Sequence, residues 1–285
     1  MTNVTAASGF SRFSCWWMIF RIALEERLAY RGDFALGTLM RFLPIITQIF
    51  LWWAVFESVG ISGSTTGRLA GYTFPDMVAY YLLSMLGRAF SSMPGLASTV
   101  AKQIRDGEIK KFLIQPIDMV GFLFLGRAAH KVAYYTVSTL PFALVFFLCR
   151  GYFTAGWPPA ETLVAFCLAL LMAFALGYLL DLCIGLIGFW FLEVSSLLFV
   201  YMLLNFFLSG HMFPLDLLPE PWHTIVDYLP FKYLAYFPAA IFLGKVSPDE
   251  LWQQLGVECL WLVGLILTAR MLYARGLKRY SGYGG

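Results

Sequence analysis

An all-helical integral membrane protein is the fold class that this sequence predicts, and three observations predict it. Hydrophobic residues make up 60% of the 285 and charged residues only 13%, too little polar surface to clothe a water-soluble domain. Several apolar runs reach the roughly 20 residues that a helix needs to cross a hydrocarbon core about 30 Å thick. The basic residues collect between alternate runs rather than in one patch.

The first element, residues 10–31, mixes aromatics with Arg12, Arg21, Glu25, Glu26 and Arg27. It is too polar to span and too apolar to lie free in water, so an interfacial amphipathic helix is expected. Six spans follow, over residues 42–61, 74–98, 132–148, 162–191, 194–208 and 251–272. A Gly-, Ser- and Thr-rich turn joins the first two. The third can be the end of a longer helix begun near Met119, since Arg127, His130 and Lys131 suit water rather than lipid. Between the fifth and sixth spans, residues 209–245 carry Pro214, Pro219, Pro221, Pro230 and Pro238, so no uninterrupted helix of spanning length forms there. The pieces are nevertheless apolar. Short or re-entrant helices satisfy both facts, provided their broken backbone is buried in protein.

Lysine and arginine set the orientation. The N-terminal segment holds Arg12, Arg21, Arg27, Arg31 and Arg41; the loop after the second span holds Lys102, Arg105, Lys110, Lys111, Arg127 and Lys131; the C-terminus holds Arg270, Arg275, Lys278 and Arg279. The other side has only Arg68, Arg150, Lys232 and Lys245. Fifteen against four puts both termini in the cytoplasm and the proline-broken region outside.

Other classes fall away. A net charge of +3, with no interleaved basic and aromatic patch, argues against nucleic acid as a partner. Cys15, Cys149, Cys167, Cys183 and Cys259 are scattered without metal-ligand spacing and read as small apolar residues, so no metal site is expected. The apolar patch from Cys15 to Phe20 is too short for a cleaved signal, and the N-terminus is expected to be retained. The phosphate-loop pattern G-x-x-x-x-G-K-[ST] does not occur, and the one Gly-Lys pair, Gly244 and Lys245, is followed by Val246.

The densest charge lies in residues 102–118, KQIRDGEIKKFLIQPID. Gly107 reads as a helix stop and EIKKFLI as a second short helix before Pro116. Ile104, Ile109, Phe112, Leu113 and Ile114 stand apolar among the charges. Either the segment presents a knob to the cytoplasm or it is a solvated loop that only holds the orientation, and composition does not choose. The motif carries more. Ile104, Arg105, Gly107, Glu108, Ile109, Leu113 and Pro116 fit I-R-x-G-x-(I/L)-x-x-x-L-x-x-P, and the segment resembles the one after the second span in ABC-2 type transporter permeases. Where that family often has Arg before the proline, this chain has Gln115. Two more stretches are similar to the family's: GFWFLEVSSL, from Gly188 to Leu197, and the outer run from Ser209 with its Phe-Pro, Leu-Pro and Leu-Pro-Phe steps.

The resemblance implies a non-catalytic transmembrane subunit of a bacterial ABC exporter in the inner membrane. A second permease, identical or related, completes the pathway, and a separate cytoplasmic ATPase binds ATP and Mg; no cofactor is expected in this chain. The coupling helix that docks into the ATPase falls on Ile104, Arg105, Asp106, Gly107, Glu108, Ile109, Phe112 and Leu113. An outer gate falls on Gly210, Pro214, Pro219 and Pro230. A drug, lipid or other amphipathic substrate suits the aromatic content, which interfacial belts require equally.

Two costly residues stand inside spans, Arg88 in the second and Asp181 in the fourth. Each lies ten residues from its cytoplasmic end, so a structural pair at similar depth is expected. His211 and Asp216 have the His-x4-Asp spacing of glycerolipid acyltransferases, a two-residue signal for an enzyme with no second motif behind it. An uncoupled membrane scaffold explains the spans and basic loops, but not the IRDGE segment.

Overall fold

The computed structural model describes residues 12–29, 31–60, 67–115, 117–154, 156–191 and 193–280, and the described residues form helices joined by turns and irregular stretches, with no strand among them. Phe10, Ser11 and Tyr30 of the expected interfacial helix lie outside the described residues, as do Ile61 at the end of the first expected span, much of the polar turn after it, and Pro116. The chain divides into two compact units, one of Met1–Phe42 with Ile109–Val145, the other of Leu43–Glu108 with Phe146–Gly285.

In the first unit, α1 (Arg12–Ala29) is a regular helix, but the one-sided stripe is missing. At about 100° per residue its apolar side chains fall all round the axis. Trp17, Met18 and Ile22 are exposed on it beside Arg21 and Glu25, which pair at 2.8 Å. Trp16 packs against Gly121 of α6 (Met119–Leu148), where an added Cβ would lie 3.1 Å from the indole. Asp118 starts α6 by accepting the Gly121 N–H at 2.7 Å, so the helix begins well before residue 132. Between the two stands the short α5 (Lys110–Ile114).

The second unit is built on α3 (Phe74–Ser91), α4 (Leu96–Arg105), α7 (Ala160–Leu186) and α11 (Pro248–Arg279), with the later part of α2 (Arg31–Ser58), α8 (Ser195–Leu208), α9 (Trp222–Asp227) and α10 (Tyr236–Phe242). Thr73 and Asp76 cap α3 reciprocally, and Ser247 caps α11 by accepting the Glu250 N–H. The expected single span over 74–98 is two helices. Ser92 to Gly95 breaks it, because Pro94 has no N–H to continue the ladder and Gly95 turns left-handed at φ +72°.

Contacts between named residues fix the directions. A Cβ at Gly177 would run into the Ser91 backbone; one at Gly185 would lie 2.8 Å from the Ala97 carbonyl oxygen; one at Gly188 would lie 3.1 Å from the Ala101 Cα. Only glycine permits this seam, in which α7 advances in step with α3 and α4. Cys183 meets Leu265, and Phe189 meets Gly276, so α11 runs the same way. The later part of α2 runs against α3, with Phe56 beside Phe74 at 6.0 Å while Pro44, Thr47 and Gln48 share a cavity of about 230 Å³ with Tyr81. α8 also opposes α3 and α7: its Tyr201 bonds Asp181 at 2.7 Å, past the Ser91–Gly177 crossing, and its Phe206 stacks on Arg88, before it.

Among the described residues, Met119–Leu148, Ala160–Phe189 and Pro248–Arg279 are long and apolar enough to cross a membrane, and α8 is a shorter apolar helix. The core of the second unit gathers Trp52, Phe56, Tyr80, Leu176, Tyr233 and Phe237.

Candidate functional site

The segment expected to face the cytoplasm is a helix, a stop and a helix. The face of α4 that carries Leu96, Ala97, Val100, Ala101 and Ile104 is buried, and Lys102 and Arg105 stand exposed. After Arg105 the helix stops at Gly107, φ +78°, a left-handed turn that glycine adopts without cost. Asp106 and Glu108 flank it, both exposed. Ile109 and Phe112 turn inward at 0% and 7% exposure, Phe112 stacking 5.5 Å from Phe122. The apolar side chains left outside are Leu113, 49% exposed, and Ile114, 82%. Of the residues in the expected coupling set, Ile104, Ile109 and Phe112 are therefore buried, and Ile114, absent from that set, offers the largest exposed apolar surface of the segment.

Arg105 lies between two carboxylates, Asp106 at 3.3 Å and Glu193 at 3.9 Å. Hydrogen bonds from Ser195 hold the Glu193 carboxyl below the usual carboxylate range, its Oε1 accepting the Ser195 N–H at 2.8 Å. One side chain thus touches the end of the α4 segment and caps α8.

The outer segment is bound far more densely. Gly210 takes φ +74°, where an added Cβ would lie 2.6 Å from the Tyr236 Cβ and 2.7 Å from the Tyr80 hydroxyl. Tyr80 donates to the Gly210 carbonyl oxygen. Asp216 receives two tyrosines, Tyr72 at 2.6 Å and Tyr236 at 2.7 Å, whose hydroxyls burial pushes upward, keeping both as donors. Gln48 reaches the Met212 carbonyl at 3.2 Å, and Lys245 bonds Gly71 at 2.9 Å and Asp76 at 3.3 Å while lying over the Tyr72 ring. Pro214 and Pro230 each open a 3-10 turn, Leu215–Leu217 and Pro230–Leu234, and Pro219 precedes α9.

His211 and Asp216 do not form a catalytic pair. The imidazole packs between Tyr81 and Phe206, its Nδ1 without a hydrogen-bond partner among the described residues, while both Asp216 oxygens are taken by tyrosines. Burial, with Arg88 nearby, pushes the imidazole down to about 3.

Arg88 lies a turn before the Ser91–Gly177 crossing and Asp181 a turn after it, so the seam offsets their backbones by about two turns. Each has its own contact, Phe206 beneath the guanidinium at 5.1 Å and Tyr201 on the carboxyl. Glu258, within the last expected span, is wholly buried, and the sequence reading passed over it. Its signal was available: an acid in an apolar run.

A family model described as ABC-2 family transporter protein matches residues 42–284, which takes in both the cytoplasmic segment and the outer network. No curated protein matches the chain significantly in sequence. A helical membrane protein matched over that range is a permease of an ABC transporter, and the chain belongs to the ABC-2 family.

Proposed function

We propose that this permease is the membrane half of an exporter driven by a separate cytoplasmic ATPase, which binds ATP and Mg and docks on residues 104–114. The observation that carries the reading is the helix-stop-helix, with Ile104, Ile109 and Phe112 anchored inside and Leu113, Ile114 and four cationic side chains outside. Such an anchored knob transmits displacement, whereas a solvated loop absorbs it.

Six crossings in the inner membrane with both termini cytoplasmic are supported by the directions within the second unit, where the later part of α2 and α8 run one way and α3 with α4, α7 and α11 the other, and by the length and apolar character of α6. The 14 residues of α8 reach only about 21 Å, short of the hydrocarbon core, and the outer segment completes that depth. No side chain of α8 is buried, and its exposed Phe199, Met202, Leu203 and Phe207 suit lipid and a second permease copy. α1 lies at the cytoplasmic interface, and Gly210 with Pro214, Pro219 and Pro230 shapes the outer gate. The substrate is an amphipathic drug or lipid, for which the aromatic interior is suited.

A photo-crosslinker at Leu113, irradiated in native membranes, tests the reading. Capture of a Walker-type ATPase, abolished together with transport-linked ATP hydrolysis when Arg105 and Glu108 are replaced, is the expected result. Capture of lipid alone by folded protein would overturn it.

A further inference from the structure

Leu251, Leu255 and Glu258 form the buried stripe on the outer half of α11. The first two join the apolar core, but Glu258 brings a carboxyl to 0% exposure, and neither oxygen has a hydrogen-bond partner among the described residues. It sits about 15 Å along the helix from Pro248, near the middle of a bilayer. An isolated carboxylate in such a place is far too costly to persist, so the group there is the carboxylic acid. A permanently neutral acid would cost stability without returning any contact. The surroundings indicate what else it does.

The neighbouring groups can be named. One turn outward on the same helix, Gln254 accepts the Tyr233 hydroxyl at 2.8 Å and is only half-buried, so polar atoms lead from the outer end of α11 toward Glu258. Tyr233 comes from the 3-10 turn Pro230–Leu234, where Lys232 is committed to Asp227 at 3.0 Å. On α7, Cys183 lies against Leu265 about two turns further in, and Asp181 is engaged by Tyr201. Glu250, at the outer start of α11, bonds Ser247 at 2.9 Å. None of these groups places a cation against the carboxyl.

We infer that Glu258 is a proton-binding site in the membrane interior, holding its proton while α11 is packed and releasing it to outer-side water when the outer half of α11 parts from the Tyr233 turn. The step balances simply: the carboxyl O–H bond breaks, water takes the proton, and the carboxylate that remains is hydrated until the seam closes. Acid outside favours the packed arrangement and alkali the parted one. The opening step rests on the exporter reading, but the occupancy of the site does not.

The test uses the complete transporter in native membrane vesicles and dicyclohexylcarbodiimide, an apolar reagent that takes the acid proton on nitrogen and the carboxyl oxygen on carbon, then rearranges to a stable acylurea. Peptide mass spectrometry is expected to find the adduct on Glu258 at neutral pH, less of it as the outer pH rises, and none in Glu258→Gln. In the same vesicles, the dependence of ATP hydrolysis on outer pH is expected to flatten in Glu258→Gln. Folded wild-type protein that takes no adduct overturns the proposal, because the carboxyl is then ionised and paired. An adduct with an unchanged pH profile in Glu258→Gln also overturns it, leaving a structural acid. Failure to find any ATPase on Leu113 would remove the exporter reading while the labelling result stood.

Discussion

The outer segment and the cytoplasmic segment are both short broken helices, yet they are held in opposite ways. Outside, Gly210, Met212, Asp216 and Lys245 tie the segment to α2, α3 and the turn before α3 through hydrogen bonds between residues more than a hundred positions apart, all but the Lys245 bond at least partly buried. At the cytoplasmic end, the polar ties of Arg105 are two exposed ion pairs, of the kind worth little in stability. The difference teaches where each region spends its residues: the outer end fixes a shape, and the cytoplasmic end leaves charge and apolar surface free for something else to fix.

The sharpest way to break the contrast is Gly210→Val. The left-handed backbone and the missing space together are expected to cost about 3 kcal/mol or more, seen as loss of monodisperse protein in detergent. Asp216→Ala comes next. It strands the Tyr72 and Tyr236 hydroxyls and is expected to cost about 2–4 kcal/mol in thermal unfolding, whereas Tyr72→Phe costs less because the carboxyl keeps Tyr236.

Acid should separate the regions further. Below the ordinary histidine value of 6.5 the unfolded chain takes up a proton that His211 refuses in the fold until about 3, so stability falls with pH across that interval. His211→Phe is expected to flatten this limb of the melting curve. At the cytoplasmic end the effect is smallest. The Glu193 carboxyl, held below 4.5 by Ser195, contributes above that pH and loses its contribution as pH falls through the lowered value. Arg105→Ala should leave the melting temperature unchanged and yet abolish ATPase capture at Leu113, which dissociates stability from coupling.

Much of this was legible in the sequence. Apolar runs located the helices, Gly107 located the stop, and five prolines located the outer breaks, because each acts through the local backbone. The break at Ser92 to Gly95 was also written, in Pro94 and Gly95, but the apolar run around them outweighed it. The tyrosines on Asp216 were not legible, since Tyr72 lies 144 positions away and nothing local marks it. Nor was the split within the knob. Alternating charge and apolar residues show that Ile109 and Leu113 differ from Lys110, but only packing shows that one is covered and the other free.

The glycine seam has a mechanical consequence. Because the glycines of α7 let it touch the backbones of both α3 and α4, at Ser91 and Ala97, the three helices form one stiff body across the break before Leu96. The 27 residues of α7 make an arm of about 40 Å, so a tilt of about 5° imposed at its cytoplasmic end moves its outer end by roughly 3.5 Å. A slip of about 1 Å at the seam would lose roughly a quarter of that stroke, and the glycine contacts leave little room for one.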